Sequence, residues 1–298
     1  MQKTKQWLSK QLQVEDIDLI ALKGGKSSKI YKVKGFPYVI RQIEDKVWMK
    51  DEPNILVQEK EQLQHLEQTP INSPRFIAMD HQAIYCDYPT LLMSYLPGTL
   101  STSHIDPQKL VNQLASQLKL IHETPLNQTY TYQPYRKKED YVVPSWTRHQ
   151  AAWEQLITYV NQREIPEYKP VFLHRDYHLN NVLWQEDKIV SVVDWINSCI
   201  GPRYVDLAHC KWNLAIVFNS NIANSFEKAS GNNYDVYWDI IALFDLYPNE
   251  LSVYEPWNHI IDQAISIEAL YKKTDLYVLS LLDKMIGQKS ETLYTHGK

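Results

Sequence analysis

His174, Asp176 and Asn181 stand in the order His-x-Asp-x-x-x-x-Asn, and a second carboxylate, Asp194, closes a short apolar run thirteen positions after Asn181. Residues 182–184 and 189–193 are rich in β-prone side chains, and the polar stretch between them reads as a hairpin turn. In an antiparallel hairpin the start of one strand lies beside the end of the other, which makes Asn181 and Asp194 neighbours. An amide oxygen and a carboxylate are hard donors that suit Mg²⁺, an ion that takes the rest of its coordination from water and nucleotide phosphates. Asp176, on the loop before the hairpin, can accept the proton of a hydroxyl whose oxygen attacks a terminal phosphorus. The pattern points to a site that moves a phosphoryl group, with the roles that an H-R-D-x-x-x-x-N loop and a later metal-binding Asp play in that chemistry. Three matching positions recur by chance. The β-rich segment behind them and the order of features ahead of them give the pattern its weight.

The elements upstream suit the same chemistry. Residues 22–33 read as strand, glycine turn, strand. Gly24 and Gly25 let the backbone approach an anion closely, and successive N–H groups from Gly25 through Ser27 to Ser28 can form a nest for phosphate oxygens. A Gly-Gly pair between strands is also an ordinary hairpin turn. Residues 36–43 alternate, placing Arg41 on the face of Val39 and Ile43, where an inward cation needs an anion. Residues 54–68 form a helical stripe through Ile55, Leu56, Leu63 and Leu66, stopped by Pro70, and offer Glu59 and Glu61 as that anion. Strands follow at 75–79 and 84–95, and Pro97-Gly98 breaks the second one as a hinge would.

Composition narrows the class. A chain of 298 residues with 44% hydrophobic and 22% charged side chains is long enough for two cores. A net charge of −4 with no basic stripe excludes a nucleic-acid binder. Cys86, Cys199 and Cys210 are odd in number and lack metal spacing, as free thiols in a reducing cytoplasm would be. The first twelve residues are too charged for a secretory core, and no apolar run approaches ~18 residues, so neither export nor a membrane span is expected. The oligomeric state is not legible.

Beyond the hinge the chain turns helical, with segments at 106–123, 145–162, 206–217, 235–246, 258–270 and 276–286. Asp206 opens the third of these, where a carboxylate commonly caps a helix. The last third holds more acids, among them Asp235, Asp239, Asp245, Asp262 and Asp275, than bases. Such a surface suits an amine-bearing acceptor, and equally suits solvated helix faces.

His174, Asp176, His178 and Asn181, with Asp194-Trp195 and Asp206-Leu207-Ala208, resemble the motifs of the aminoglycoside phosphotransferases and their relatives among the choline and fructosamine kinases. The likeness is sharp from residue 172 to 208. It implies an α+β, two-lobed, protein-kinase-like fold: a small antiparallel-sheet lobe over 1–96 that binds the nucleotide, and a larger, mainly helical lobe over 97–298 with the catalytic loop and acceptor site. It further implies ATP, or GTP, with Mg²⁺ as cofactors, and a hydroxyl-bearing small molecule as acceptor. By the same resemblance Asp176 is catalytic, Asn181 and Asp194 hold the metal, and Asp206 braces the loop. Gly24, Gly25, Ser27 and Ser28 position the nucleotide, Arg41 holds its phosphates with Glu59 as partner ahead of Glu61, and Ser94, Tyr95 and Leu96 read its base. Two positions depart from the family: Arg175 and Asn180 stand where its members often have Gly. Asn tolerates a left-handed backbone better than most residues.

Two other readings remain. A nucleotide-binding regulatory module without catalysis would need another reason to keep every chemical residue. A protein kinase fits His174-Arg175-Asp176, but residues 202–206 follow Asp194 too soon for a long activation loop.

Overall fold

The computed structural model describes residues 1–22, 28–126, 130–231, 234–246 and 251–295, with side chains in the last segment through residue 288. The chain divides into two compact units, Met1–Thr99 with Val190–Ser198, and Leu100–Ile189 with Cys199–Lys298. The division expected after residue 96 therefore falls after Thr99, and nine residues around Asp194 return to the first unit.

The first unit opens with α1 (Gln2–Leu12) and carries strands β1 (Leu19–Leu22), β2 (Lys29–Val33) and β3 (Tyr38–Gln42). Helices α2 (Lys46–Asp51) and α3 (Ile55–Leu66) follow, then β4 (Phe76–Asp80) and β5 (Thr90–Ser94). The five strands make one antiparallel sheet in the order β1-β2-β3-β5-β4. Trp7, Leu8, Val33, Ile40 and Leu92 form its core. The strand expected over 84–95 is shorter than its sequence suggests. The Asp80 carboxylate accepts the N–H groups of Ile84, Tyr85 and Cys86, which commits those donors to a loop and delays the strand to Thr90.

The second unit begins with α4 (Pro107–His122), whose N-cap Asp106 accepts the Lys109 N–H and whose first residue is proline. Next come α5 (Gln150–Asn161), β6 (Pro170–Leu173), β7 (Val182–Gln185), β8 (Lys188–Val192) and β9 (Cys199–Pro202). β7 and β8 form the expected hairpin, and the chain passes into the first unit partway along β8. β9 pairs antiparallel with β6, an element not expected from the sequence. Helices α6 (Tyr204–Val217), α7 (Ser220–Ala229), α8 (Tyr237–Leu246), α9 (Pro256–Ile260) and α10 (Ile267–Thr295) complete the unit. α6 is buried on nearly every face and is the spine of this unit.

Three helix expectations need correction. The helix expected over 145–162 starts only at Gln150, because Asp275 holds the segment ahead of it through Thr147 Oγ1 and the Arg148 N–H. The segment expected over 258–270 is not continuous: Asn258 accepts the Gln263 N–H with its carbonyl and the Ile265 N–H with its side chain, which ends α9. The 276–286 segment is the middle of α10, and α7, capped by Asn219, was not expected.

Candidate active site

The loop after β6 is built around one buried carboxylate. Asp206, at the start of α6, accepts the His174 N–H at 2.9 Å and the Arg175 N–H at 2.8 Å, and its Oδ2 lies 3.1 Å from His122 Nε2. Burial alone would raise the Asp206 pKa, but His122 and the loop donors outweigh it and hold it below the ordinary value. Arg175 sits at φ 72°, in the left-handed region that favours glycine. Asn180 instead lies in a 3₁₀ turn, Leu179–Asn181, that leads into β7. The glycine-like conformation thus falls on the first of the two positions that depart from the family, not on the second.

Asp176 is held by three donors. Asn181 Nδ2 donates to its Oδ2 at 3.1 Å and to its backbone carbonyl at 2.9 Å. His209 Nε2 lies 3.1 Å and His178 Nε2 3.4 Å from Oδ1. Burial pushes the Asp176 pKa up, yet His178 and His209 hold it well below the usual carboxylate range. The side chain keeps 29% exposure, so an acceptor hydroxyl can reach it. With the Asn181 amide nitrogen turned to Asp176, its oxygen is the atom left to bind a cation.

Asp176, His178 and His209 present ligand atoms within 4.8 Å of one another and by type resemble a two-histidine, one-carboxylate metal site. The hydrogen bonds oppose that use. His178 Nδ1 accepts the Asn180 N–H, which places the ring proton on Nε2, the atom facing Asp176. Burial lowers the His209 pKa despite Asp176, and its neutral ring must carry a proton on Nε2 to meet an ionised oxygen. Both imidazoles are therefore donors to the carboxylate. His209 escaped the sequence reading, although it lies one helical turn from Asp206 and so shares its face.

The first unit gathers a second set of expected residues. Arg41, on β3 and buried, brings Nε to 2.9 Å from Glu59 Oε2 on α3 and its NH2 to 2.8 Å from Asp194 Oδ1. Its NH1 donates to Ser28 Oγ at 2.7 Å, so Ser28 serves the arginine directly. Asp194 and Glu59 keep Arg41 charged against the pull of burial. Burial pushes Glu59 up to about 7, with Asp194 adding to the rise and Arg41 opposing it. Asp194 itself takes a left-handed backbone, φ 68°.

Gly24, Gly25 and Ser27 lie outside the described residues. In the hinge segment, the Ser94 N–H is bonded to the Arg75 carbonyl and the Tyr95 N–H to the Pro37 carbonyl. Neither donor is left for a nucleotide base, which leaves the Leu96 N–H as the backbone donor of Ser94–Leu96, beside the segment's carbonyl oxygens.

Many acids of the last third are committed within the protein. Asp235 holds Arg163 and Tyr159, and Asp239 holds Lys211, Lys284 and Tyr234. Asp245 holds Arg175, Asp262 accepts from Ser101 and Ser103, and Asp275 binds Thr147 and Trp153. The acidic excess in the sequence therefore overstates the carboxylate surface facing solvent.

Solved structures share this fold at low identity. One is the ternary complex of the aminoglycoside phosphotransferase APH(2")-IIa with streptomycin and ATP, at TM-score 0.58 and 15% identity over 80% of this chain and 85% of that one. A further APH(2") enzyme, bound to GDP and kanamycin, matches at TM-score 0.60 and 14% identity over 94% and 97%. APH(3'')-Id from Streptomyces rimosus matches at 0.56 and 17% over 81% and 92%. They establish a kinase-like fold for the chain, with its antiparallel sheet and helical part. Comparison with curated protein sequences returns no match. No helix among the described residues is long and apolar enough to cross a membrane. The model of the phosphotransferase enzyme family matches residues 18–240, from the sheet through the braced loop and on into α8, and the chain belongs to that family.

Proposed function

We propose that this phosphotransferase moves the γ-phosphate of ATP, or of GTP, to a hydroxyl of a small molecule in the presence of Mg²⁺. The observation that carries the reading is the Asp176 carboxylate, ionised and reachable, held by donors from Asn181, His178 and His209. Neighbour complexes with ATP and streptomycin, and with GDP and kanamycin, support the donor and acceptor classes.

In this reading Asp176 accepts a hydrogen bond from the acceptor hydroxyl and orients its oxygen toward the γ-phosphorus. As the new O–P bond forms and the bond to the β-phosphate oxygen breaks, the hydroxyl proton passes to Asp176 and the nucleoside diphosphate leaves. A carboxylate held so acidic is a weak base, which suits a loose transition state in which the proton moves late. Asn181 Oδ1 and the Asp194 carboxylate are the donor set assigned to Mg²⁺, and both are hard oxygens as that ion requires. The bound ion supplies charge neutralisation at the phosphates. Arg41 clamps phosphate oxygens, with Glu59 fixing its guanidinium and Ser28 its other edge. The described part of the hinge offers the base its carbonyl groups and Leu96.

The acceptor is an alcohol of small size. Asp235, Asp239 and Asp245 already hold Arg163, the Lys211–Lys284 pair and Arg175, so an amine-bearing one would draw on exposed acids of the last third such as Asp262, Glu268 and Asp283. A nucleotide-consumption screen over amino sugars, neutral sugars, choline and amino alcohols, with and without Mg²⁺, identifies the class. On the acceptor so found, Asp176→Ala lowers kcat by ~10²-fold or more with little change in ATP affinity. Parent-like turnover in that variant contradicts the assignment.

A further inference from the structure

The helical unit already holds a cation beside its proposed base. The Arg175 guanidinium donates to Asp245 Oδ2 at 3.0 Å and to the Gln133 carbonyl at 3.1 Å. The Tyr135 ring lies 3.8 Å from its central carbon and the Tyr132 ring 4.6 Å. Arg175 is 4% exposed, whereas Tyr135, at 51%, is the outer wall. Two aromatic faces and a carboxylate are the groups that recognise a guanidinium or ammonium ligand. The lining is continuous with the base: Tyr132, Arg175, Asp245 and His209 border one small space, and His209 Nε2 is 3.1 Å from Asp176 Oδ1. Arg175 also occupies a left-handed position that glycine would adopt without strain, so its side chain is carried there against a backbone penalty.

We infer that Arg175 is the built-in occupant of a cation cage formed by Tyr132, Tyr135 and Asp245, and that it restricts the acceptor to alcohols with no positive charge at this position. The acceptor part rests on the phosphotransferase reading, while the cage stands on its own geometry. With Asp245 paired and Arg175 lying against a face of each ring, an incoming amine finds the cage already filled. A neutral sugar or polyol needs no cage.

Arg175→Gly relaxes the backbone and empties the cage. Methylguanidinium chloride at ~20 mM should then raise the variant's melting temperature by ~3 °C or more, with no such rise for the parent, and methylurea should do nothing for either. A folded variant without this selective rise overturns the cage. In the acceptor arm, a hexose is compared with its 2-amino analogue. The ratio of kcat/KM, amine over neutral, should rise ~10-fold in the variant. An unchanged ratio in a variant that binds methylguanidinium overturns the specificity role. Absence of turnover on any alcohol by the parent removes the phosphotransferase reading and that role with it, while the melts still decide the cage. Where Arg175→Gly does not fold, Tyr135→Ala serves, since Tyr135 is a surface side chain. Phenylglyoxal should label Arg175 in that variant and spare it in the parent, as read by mass spectrometry. Equal labelling of the two overturns the cage.

Discussion

Arg175 at φ 72° and Asp194 at φ 68° are both non-glycine residues in a left-handed backbone, each next to groups proposed to act on phosphate. Such positions cost about 1–3 kcal/mol and persist where neighbours over-determine them. Arg175 is over-determined by Asp206 at its N–H and Asp245 at its side chain, and Asp194 by Arg41. At this scale the inward cation on β3 was legible from alternation alone, because a buried guanidinium demands a carboxylate. The sequence offered both Glu59 and Glu61, and burial chooses Glu59, which shares the α3 face of Ile55, Leu56 and Leu63. His209 was not legible, since its relation to the loop depends on how α6 packs, whereas Tyr132 and Tyr135 stand in an aromatic and basic stretch over 128–143 that suits either the border of an acceptor site or a surface connection, with nothing in it to name Arg175 as their partner. Glu59→Ala leaves the buried Arg41 with Asp194 as its one carboxylate partner among the described residues. The variant should bind ATP ~10-fold more weakly by calorimetry. An unchanged dissociation constant would show that Glu59 does not position the clamp.

β6 and β9 show what periodicity cannot reveal about elements. Each is four residues long, and β9 contains Gly201 and Pro202, residues that read as a turn. The pairing exists because β6 has an antiparallel partner in β9 and because the Tyr132 N–H reaches the Ile200 carbonyl. Gly201 makes that close passage possible: a Cβ there would meet Tyr132 Cβ at 2.5 Å and Leu173 Cδ1 at 2.9 Å. Gly201→Ala should therefore destabilise the protein by ~1–3 kcal/mol in urea melts, as overpacking does. Parent stability in that variant would mean the strand gives way easily. The β7–β8 hairpin, by contrast, was readable, because β-prone runs flank a polar turn. The short β5 and the late start of α5 were not, because each is set by a carboxylate, Asp80 or Asp275, that ties up local N–H groups.

At the scale of the whole molecule, length and composition allowed two cores, and the loop motif named the family. The return of residues 190–198 to the first unit was not readable. It hangs on Asn72, which donates to the Val190 carbonyl at 2.7 Å and accepts the Val192 N–H at 3.0 Å. The helical unit is tied through α6, α7, α8 and α10 by Lys211, Glu227, Asp239 and Lys284. Burial raises the Asp239 pKa, but the two lysines outweigh it and hold the carboxyl below its ordinary value. A depressed folded pKa means that this stabilisation is complete above the unfolded value, near ~4, and is lost as the pH falls below it. Asp239→Asn should lower stability at pH 7 by ~3 kcal/mol and flatten the loss between pH 5 and 3. An acid limb as steep as the parent's would assign the acid sensitivity elsewhere. The proposed metal role of Asn181 and Asp194 is tested most directly, without knowledge of the acceptor, by Mn²⁺ affinity in the presence of a non-hydrolysable ATP analogue, read by electron paramagnetic resonance. Asn181→Ala and Asp194→Ala should each weaken Mn²⁺ binding by ~10-fold or more, and parent-like affinity in either variant would remove that residue from the metal site.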